Sequence, residues 1–152
     1  MDTEKLKERI LSLVPEAQVE ENKQFLTCFI PVSQFHHMLG NLKNSADTAF
    51  DYLFCLTAAD MGKELVVVYH LNSTQHQHEL VLKIKLSDRE NPAVDSVCDL
   101  YRSAEFYERE VYDMFGIRFN NHPDMRRIFL DENWQGYPLR KDYTDEINII
   151  EL

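Results

Sequence analysis

The chain has 152 residues, 44% of them hydrophobic, and a formal charge of -10, which is enough apolar material for one domain with its own core and a tail beside it. An acidic surplus of that size excludes docking onto a phosphate backbone, which needs a basic face. No run of about 18 apolar residues exists to span a bilayer. Cys28, Cys55 and Cys98 stand apart with no C-x-x-C pair, which excludes a disulfide framework and a zinc or iron-sulfur site of ordinary spacing.

Leu6, Ile10, Leu13 and Val14 recur at helical spacing behind Thr3, so an amphipathic helix opens the chain and Pro15 closes it. The acidic start M-D-T-E-K fits neither a secretory signal nor a basic transit peptide, and a cytosolic chain is expected, held to any membrane through a partner. Residues 17–21 and 24–32 read as a strand pair turning at Asn22-Lys23. Ser33 is placed to cap a second helix with Phe35, Met38, Leu39 and Leu42 inward, and Gly40 weakens its end. Three strands follow, near 51–59, 64–72 and 78–86, joined by Met61-Gly62-Lys63 and Asn72-Ser73-Thr74. In the third, Leu80, Leu82, Ile84 and Leu86 face one side and Lys83 and Lys85 the other, so one face of the sheet is wet. Ser96-x-x-Asp99 has the form of a capping box for a short helical piece. A longer helix runs from about Ser103 to Gly116, a residue suited to a left-handed C-terminal cap.

After Gly116 the regular pattern ends, yet the chain stays rich in large apolar side chains. Such a stretch lacks a core of its own and is too aromatic for a disordered linker, so it is expected to lie across another surface. The expected architecture is α+β: a mixed or antiparallel sheet of four to five strands with helices packed on one face over residues 1–116, then an extended C-terminal docking tail over 117–152. Residues 101–143 hold six of the eight arginines and ten of the seventeen aromatic residues, the composition of a protein-protein interface core. An arginine-rich segment on an acidic body reads as a docking surface for protein.

Individual residues sharpen that expectation. On a helical wheel Tyr107, Val111, Met114 and Phe115 form an apolar stripe with Glu108 and Glu110 on its shoulders, which places both glutamates to meet arginines of the tail or of a partner. Arg109 falls on the far side, one turn from Glu105 and Asp113. Pro123-Asp124 favours a turn of helix that directs Arg126 and Arg127 about 100° apart, one inward and one toward a neighbour. Glu110, Asp113, His122 and Asp124 match no metal motif, His76-x-His78 lacks a third ligand, and neither G-x-G-x-x-G nor G-x-x-x-x-G-K occurs. Arg127 and Arg140, read as outward anchors, are expected to be removable without much loss of stability in the isolated chain.

The order of residues from 108 to 143 resembles a known family. Its pattern runs E-R-E-x-Y-D-M-F-G-I, H-P-D-L-R-R and G-x-P-L-R-K-D-Y, and is met here by Glu108, Arg109, Glu110, Tyr112, Asp113, Phe115, Gly116, His122, Pro123, Asp124, Arg126, Arg127, Gly136, Pro138, Arg140, Lys141, Asp142 and Tyr143. Together with V-V-Y-H-L-N-S at 67–73 and L-V-L-K-I-K-L at 80–86, the likeness covers residues 50–143; Met125, Tyr137 and Arg102 are mild departures. The chain resembles the C-type subunit, also called the 30 kDa-type subunit, of the proton-pumping NADH:quinone oxidoreductase, complex I. The resemblance implies a cofactor-free structural component on the cytoplasmic face of the membrane. NADH, FMN, iron-sulfur clusters and quinone would be carried by partners, with the D-type subunit the main contact and the B-type and I-type subunits nearby. It makes Glu108, Arg109, Glu110, Asp113, His122, Asp124, Arg126, Arg127, Trp134, Tyr137, Arg140, Lys141, Asp142 and Tyr143 the partner-docking set. A homologous component of a membrane-bound hydrogenase or other-donor relative is the alternative, and a free-standing metalloenzyme built on Glu110, Asp113 and His122 a remoter one.

Overall fold

The computed structural model describes residues 2–20 and 22–145; the end of the expected tail, 146–152, lies outside them. Helix α1 covers Thr3–Leu13, and strands β1 (Gln18–Glu20) and β2 (Leu26–Phe29) form the first antiparallel pair. Helix α2 spans Val32–Asn44, starting ahead of Ser33 because Pro31 takes the cap position, and runs through Gly40 to Asn44. Its Phe35, Met38, Leu39 and Leu42 are all buried, as their spacing requires.

Strands β3 (Tyr52–Asp60), β4 (Leu65–Ser73) and β5 (His78–Leu86) are the three strands read from the sequence, and they pair as an antiparallel meander. The sheet order is β1-β2-β5-β4-β3, with β2 lying parallel to β5, so the five-stranded sheet is mixed and the fold is α+β. Leu80, Leu82, Ile84 and Leu86 are buried while Lys83 reaches Glu20 across the other face. Helix α3 covers Ala104–Phe115 and ends at Gly116 in the left-handed conformation, φ 73°. It lies against β3, where Ser103 Oγ donates to the Leu53 carbonyl at 2.9 Å and Tyr107 OH to the Phe54 carbonyl at 2.8 Å.

Two features differ from the sequence reading. The Ser96-x-x-Asp99 capping box does not form: residues 98–100 make a turn, Ser96 is bonded to Glu108, and Asp99 holds His36 at 3.0 Å. The buried carboxyl group is a stronger attraction for the serine than a helix end. The second is a short parallel pair, β6 (Ala93–Asp95) with β7 (Arg118–Asn120), which no alternation announces because three residues hold too little pattern. Through it Ile117 and Phe119 enter the same core as α1, α2, α3 and the sheet, so that core extends past residue 116. Beyond it the chain has no regular element up to residue 145 and crosses back over α3.

Candidate functional site

The motif residues converge on α3 and the segment that returns over it. Asp113 is fully buried and accepts from Arg127 Nη1 at 2.8 Å and from the N–H groups of Ile128, Phe129 and Leu130 at 3.3, 2.7 and 3.0 Å. Burial works to raise the Asp113 carboxyl, and Arg127 with the three backbone donors outweighs it, holding the group below the ordinary carboxylate range. Arg127 also donates to the carbonyls of Asp113, Trp134 and Gly136. Arg109, itself buried, donates to the carbonyls of Arg126 and Arg127. A guanidinium with five N–H groups in a planar fork suits this task, since it ties an irregular backbone down from one side.

A second clasp joins the tail to the sheet. Asp60, at the end of β3, accepts both Arg89 Nη1 at 2.7 Å and Nη2 at 2.9 Å, together with the N–H groups of Gly62 and Lys141. The Arg89 hydrogen bonds hold its carboxyl well below the usual range. Arg140 donates to the carbonyls of Phe115 and Arg89. Tyr137 lies between the two guanidiniums, its ring centre 5.0 Å from Arg127 and 5.4 Å from Arg140. A Cβ on Gly116 would come within 2.5 Å of that ring, so the glycine is required twice, for its φ and for this approach.

A third cluster surrounds Glu108, also fully buried. It receives Ser96 Oγ at 2.6 Å, Val97 N–H at 2.8 Å and Cys98 Sγ at 3.3 Å, with His122 Nε2 at 3.8 Å. Donor atoms of Cys98, Glu108 and His122 all lie within 4.8 Å of one another, yet the imidazole does not fit a metal. Its Nδ1 accepts the Asp124 N–H at 2.9 Å and its Nε2 proton is directed to the Glu105 carbonyl at 2.9 Å, so neither nitrogen offers a lone pair to the space between the three. Burial also pushes the Cys98 thiol up to about 12, which disfavours the thiolate a metal needs.

Glu110 is exposed, and among the described residues neither glutamate is paired with arginine; it is Asp113 that takes one. Arg109, placed on the outer face by the wheel, points inward instead. Asp124 pairs with the exposed Arg126 at 2.9 Å. Lys141 and Asp142 face solvent, the latter 3.7 Å from Arg89, and Tyr143 OH donates to Asp145. Trp134 is half-buried and lends its carbonyl to Arg127. Glu110, Asp113 and His122 do not assemble into one centre: the first faces water, the second Arg127, the third Glu105. Asp60, Arg89, Ser96 and Cys98 take part in these clusters without a sequence signal for it, since Asp60 reads only as a strand end. The clasps leave Phe106, Phe129 and Leu139 on the outside, each more than half exposed.

The model of the family described as "Respiratory-chain NADH dehydrogenase, 30 Kd subunit" matches residues 28–147. Among curated proteins, the chain is 45% identical over 124 residues to the C/D subunit of NADH-quinone oxidoreductase from Phocaeicola vulgatus, covering 81% of this chain and 24% of that one. It is 48% identical over 96 residues to the C-type subunit of NADH-quinone oxidoreductase from Chloroherpeton thalassium, covering 62% of this chain and 40% of that protein. It thus spans less than half the length of these relatives. Among solved structures, a chain of the membrane-bound sulfane sulfur reductase, described as an archaeal respiratory membrane complex, superposes with a TM-score of 0.78 at 28% identity, covering 95% of this chain and 86% of that one. With a family match across most of its length, the chain belongs to the 30 kDa subunit family of the respiratory-chain NADH dehydrogenase.

Proposed function

We propose that the chain serves as the C-type subunit of an NADH:quinone oxidoreductase, packing against the D-type subunit and keeping the electron-transfer path to quinone in register without holding a cofactor itself. The observation that carries this reading is the relative from Phocaeicola vulgatus, named as a C/D protein, of which this chain matches about a quarter. Joining two subunits in one polypeptide is economical where they are permanent neighbours.

The clasps suit such a role. They fix an irregular segment by charge-assisted hydrogen bonds while Phe129 and Leu139 on that segment, and Phe106 on α3, each stay exposed. Large apolar side chains exposed on a fixed backbone are what a permanent partner covers. The site contributes geometry to turnover rather than a reacting group. The B-type and I-type subunits would be close neighbours, NADH, FMN, clusters and quinone would reside in the partners, and the membrane, reached on its cytoplasmic side, would be met only through the complex. Among the described residues no helix is long and apolar enough to cross a membrane.

A second reading has its own observation: the solved chain that superposes on this one comes from a sulfane sulfur reductase, so the same fold also serves a different electron acceptor. Purification of the tagged full chain from detergent-solubilised membranes separates the two. Recovery with the D-type and the NADH-oxidising subunits supports the first reading; recovery with a complex that lacks NADH oxidation supports the second.

A further inference from the structure

The sheet has a second face, opposite the one that carries the core. Leu80, Leu82 and Ile84 of β5 point into that core, whereas Val81 and, on β4, Val66 are buried on the other side and lie outside it. Rings follow one another across this face. Tyr52 and Phe54 of β3 have centres 6.0 Å apart, Phe54 and His70 of β4 5.6 Å, and His70 and Phe25, just ahead of β2, 5.7 Å. Burial, the first cause, holds the His70 imidazole below its ordinary value, so the row carries no cation at neutral pH.

The row ends at a cleft of about 470 Å³ that Phe25 lines, a size ordinary for a ligand site. Glu79, exposed and in no ion pair among the described residues, brings the one formal charge to its walls. Gln77, also on the wall, donates its side-chain N–H to the Thr74 carbonyl at 2.9 Å, which leaves its oxygen as the group to offer. His78 directs its Nε2 proton to the Thr48 carbonyl at 3.0 Å, and burial favours its neutral form. The amides of Gln24 and Asn72 can each turn an oxygen inward. Thr3 brings the positive end of α1 to one side, where Asp2 and Glu4 of the same turn offset it.

We propose that this cleft receives the guanidinium of an arginine side chain from a protein partner, stacked on Phe25 and paired with Glu79, while the partner's surface lies over the row of rings. Charge selects a cation: on a chain of formal charge -10, the cleft adds a carboxylate and no base. Donor count selects arginine over lysine. A guanidinium offers five N–H groups and accepts none, which suits walls made of oxygens, and its flat face stacks on a ring where an ammonium keeps its water. The row selects a protein over free arginine, since a single amino acid in the cleft would leave Phe54 and the more than half exposed Tyr52 uncovered. The surface shares no residue with the clasps, and the inference does not depend on which complex the chain joins.

Two measurements test it. In the first, the full chain is titrated by NMR with acetyl-arginine amide and, separately, with acetyl-lysine amide. The arginine probe is expected to shift the side-chain amides of Gln24 and Asn72 and the Phe25 ring, and the lysine probe to bind more weakly. Glu79→Gln, a change at an exposed position, should weaken the arginine probe roughly fivefold. No shift at those groups, equal binding of the two probes, or unchanged binding in Glu79→Gln refutes the guanidinium site, and the comparison of probes on the wild-type chain stands even where the variant fails to fold. The second is the structure of the complex purified through a tag on the full chain, in which an arginine of a neighbouring subunit is expected within hydrogen-bond reach of Glu79. A cleft open to solvent in that complex, or filled by a free small molecule, refutes the protein partner.

Discussion

Arg127→Ala tests whether the motif arginines hold the chain to itself. The substitution strips Asp113 of its cation and leaves the carbonyls of Trp134 and Gly136 without their donor. The pair is sheltered, with the Arg127 side chain 10% exposed and Asp113 not at all, so solvent screening discounts little. Breaking a buried pair by removing one partner costs about 3–5 kcal/mol, and the lower end applies because the N–H groups of Ile128, Phe129 and Leu130 remain on the carboxylate. For a chain of this size each kcal/mol lowers Tm by roughly 2–4 °C, so a fall of at least about 6 °C is expected in thermal unfolding of the isolated chain. Arg126, whose side chain is 61% exposed, is the control: its pair with Asp124 is worth about 1 kcal/mol or less. Adding Asp113→Asn to Arg127→Ala should restore part of the loss by removing the orphaned charge. Equal midpoints for Arg127→Ala and Arg126→Ala would refute the clasp. This reverses the expectation from sequence, in which Arg127 faces outward and its loss spares stability.

Gly116→Ala and Gly62→Ala both place a side chain at positive φ, which costs about 1–2 kcal/mol; only the former also meets Tyr137, so denaturant unfolding should show it clearly the less stable of the two. Asp60 and Asp113 have folded values below the unfolded carboxylate, so their contribution is complete above about pH 4 and is lost as pH falls through the depressed values; Asp60→Asn should flatten that acid limb, and an unchanged limb would count against it. His78 is held below the ordinary imidazole value, by burial first. The neutral form is therefore the folded one, and stability present above about pH 6.5 declines below it; His70 is held down by burial in the same way, so His78→Asn should reduce the step in denaturant midpoints measured across that range and leave the part due to His70.

The parts of the fold that are legible in the sequence are those where one periodicity runs long enough to count. Nine-residue strands alternating as Leu80 to Leu86 do, or a helix closed by Gly116, announce themselves through local chemistry. The parallel pairing of β2 with β5 and of β6 with β7 has no local signature, because residues far apart in the chain supply each ladder. The motif points to the region where the clasps form, but a helical wheel ranks residues by hydrophobicity, and here burial follows hydrogen-bond partners. Arg109 and Asp113 go inside because carbonyls and N–H groups of the returning segment meet them there, while Phe129, large and apolar, stays exposed. Glu110 shares the motif with Glu108 and faces solvent, a difference set by the 96–98 turn that only the fold brings alongside.

The central claim, that this chain is a structural component bound to the D-type subunit of an NADH:quinone oxidoreductase, is tested most directly by native mass spectrometry of complexes purified through a tag on the full chain. The account predicts a stable subcomplex of this chain with the D-type subunit, one copy of each, that persists when the complex is dissociated in stages. Recovery of the chain alone, or with an assembly devoid of that partner, would contradict it.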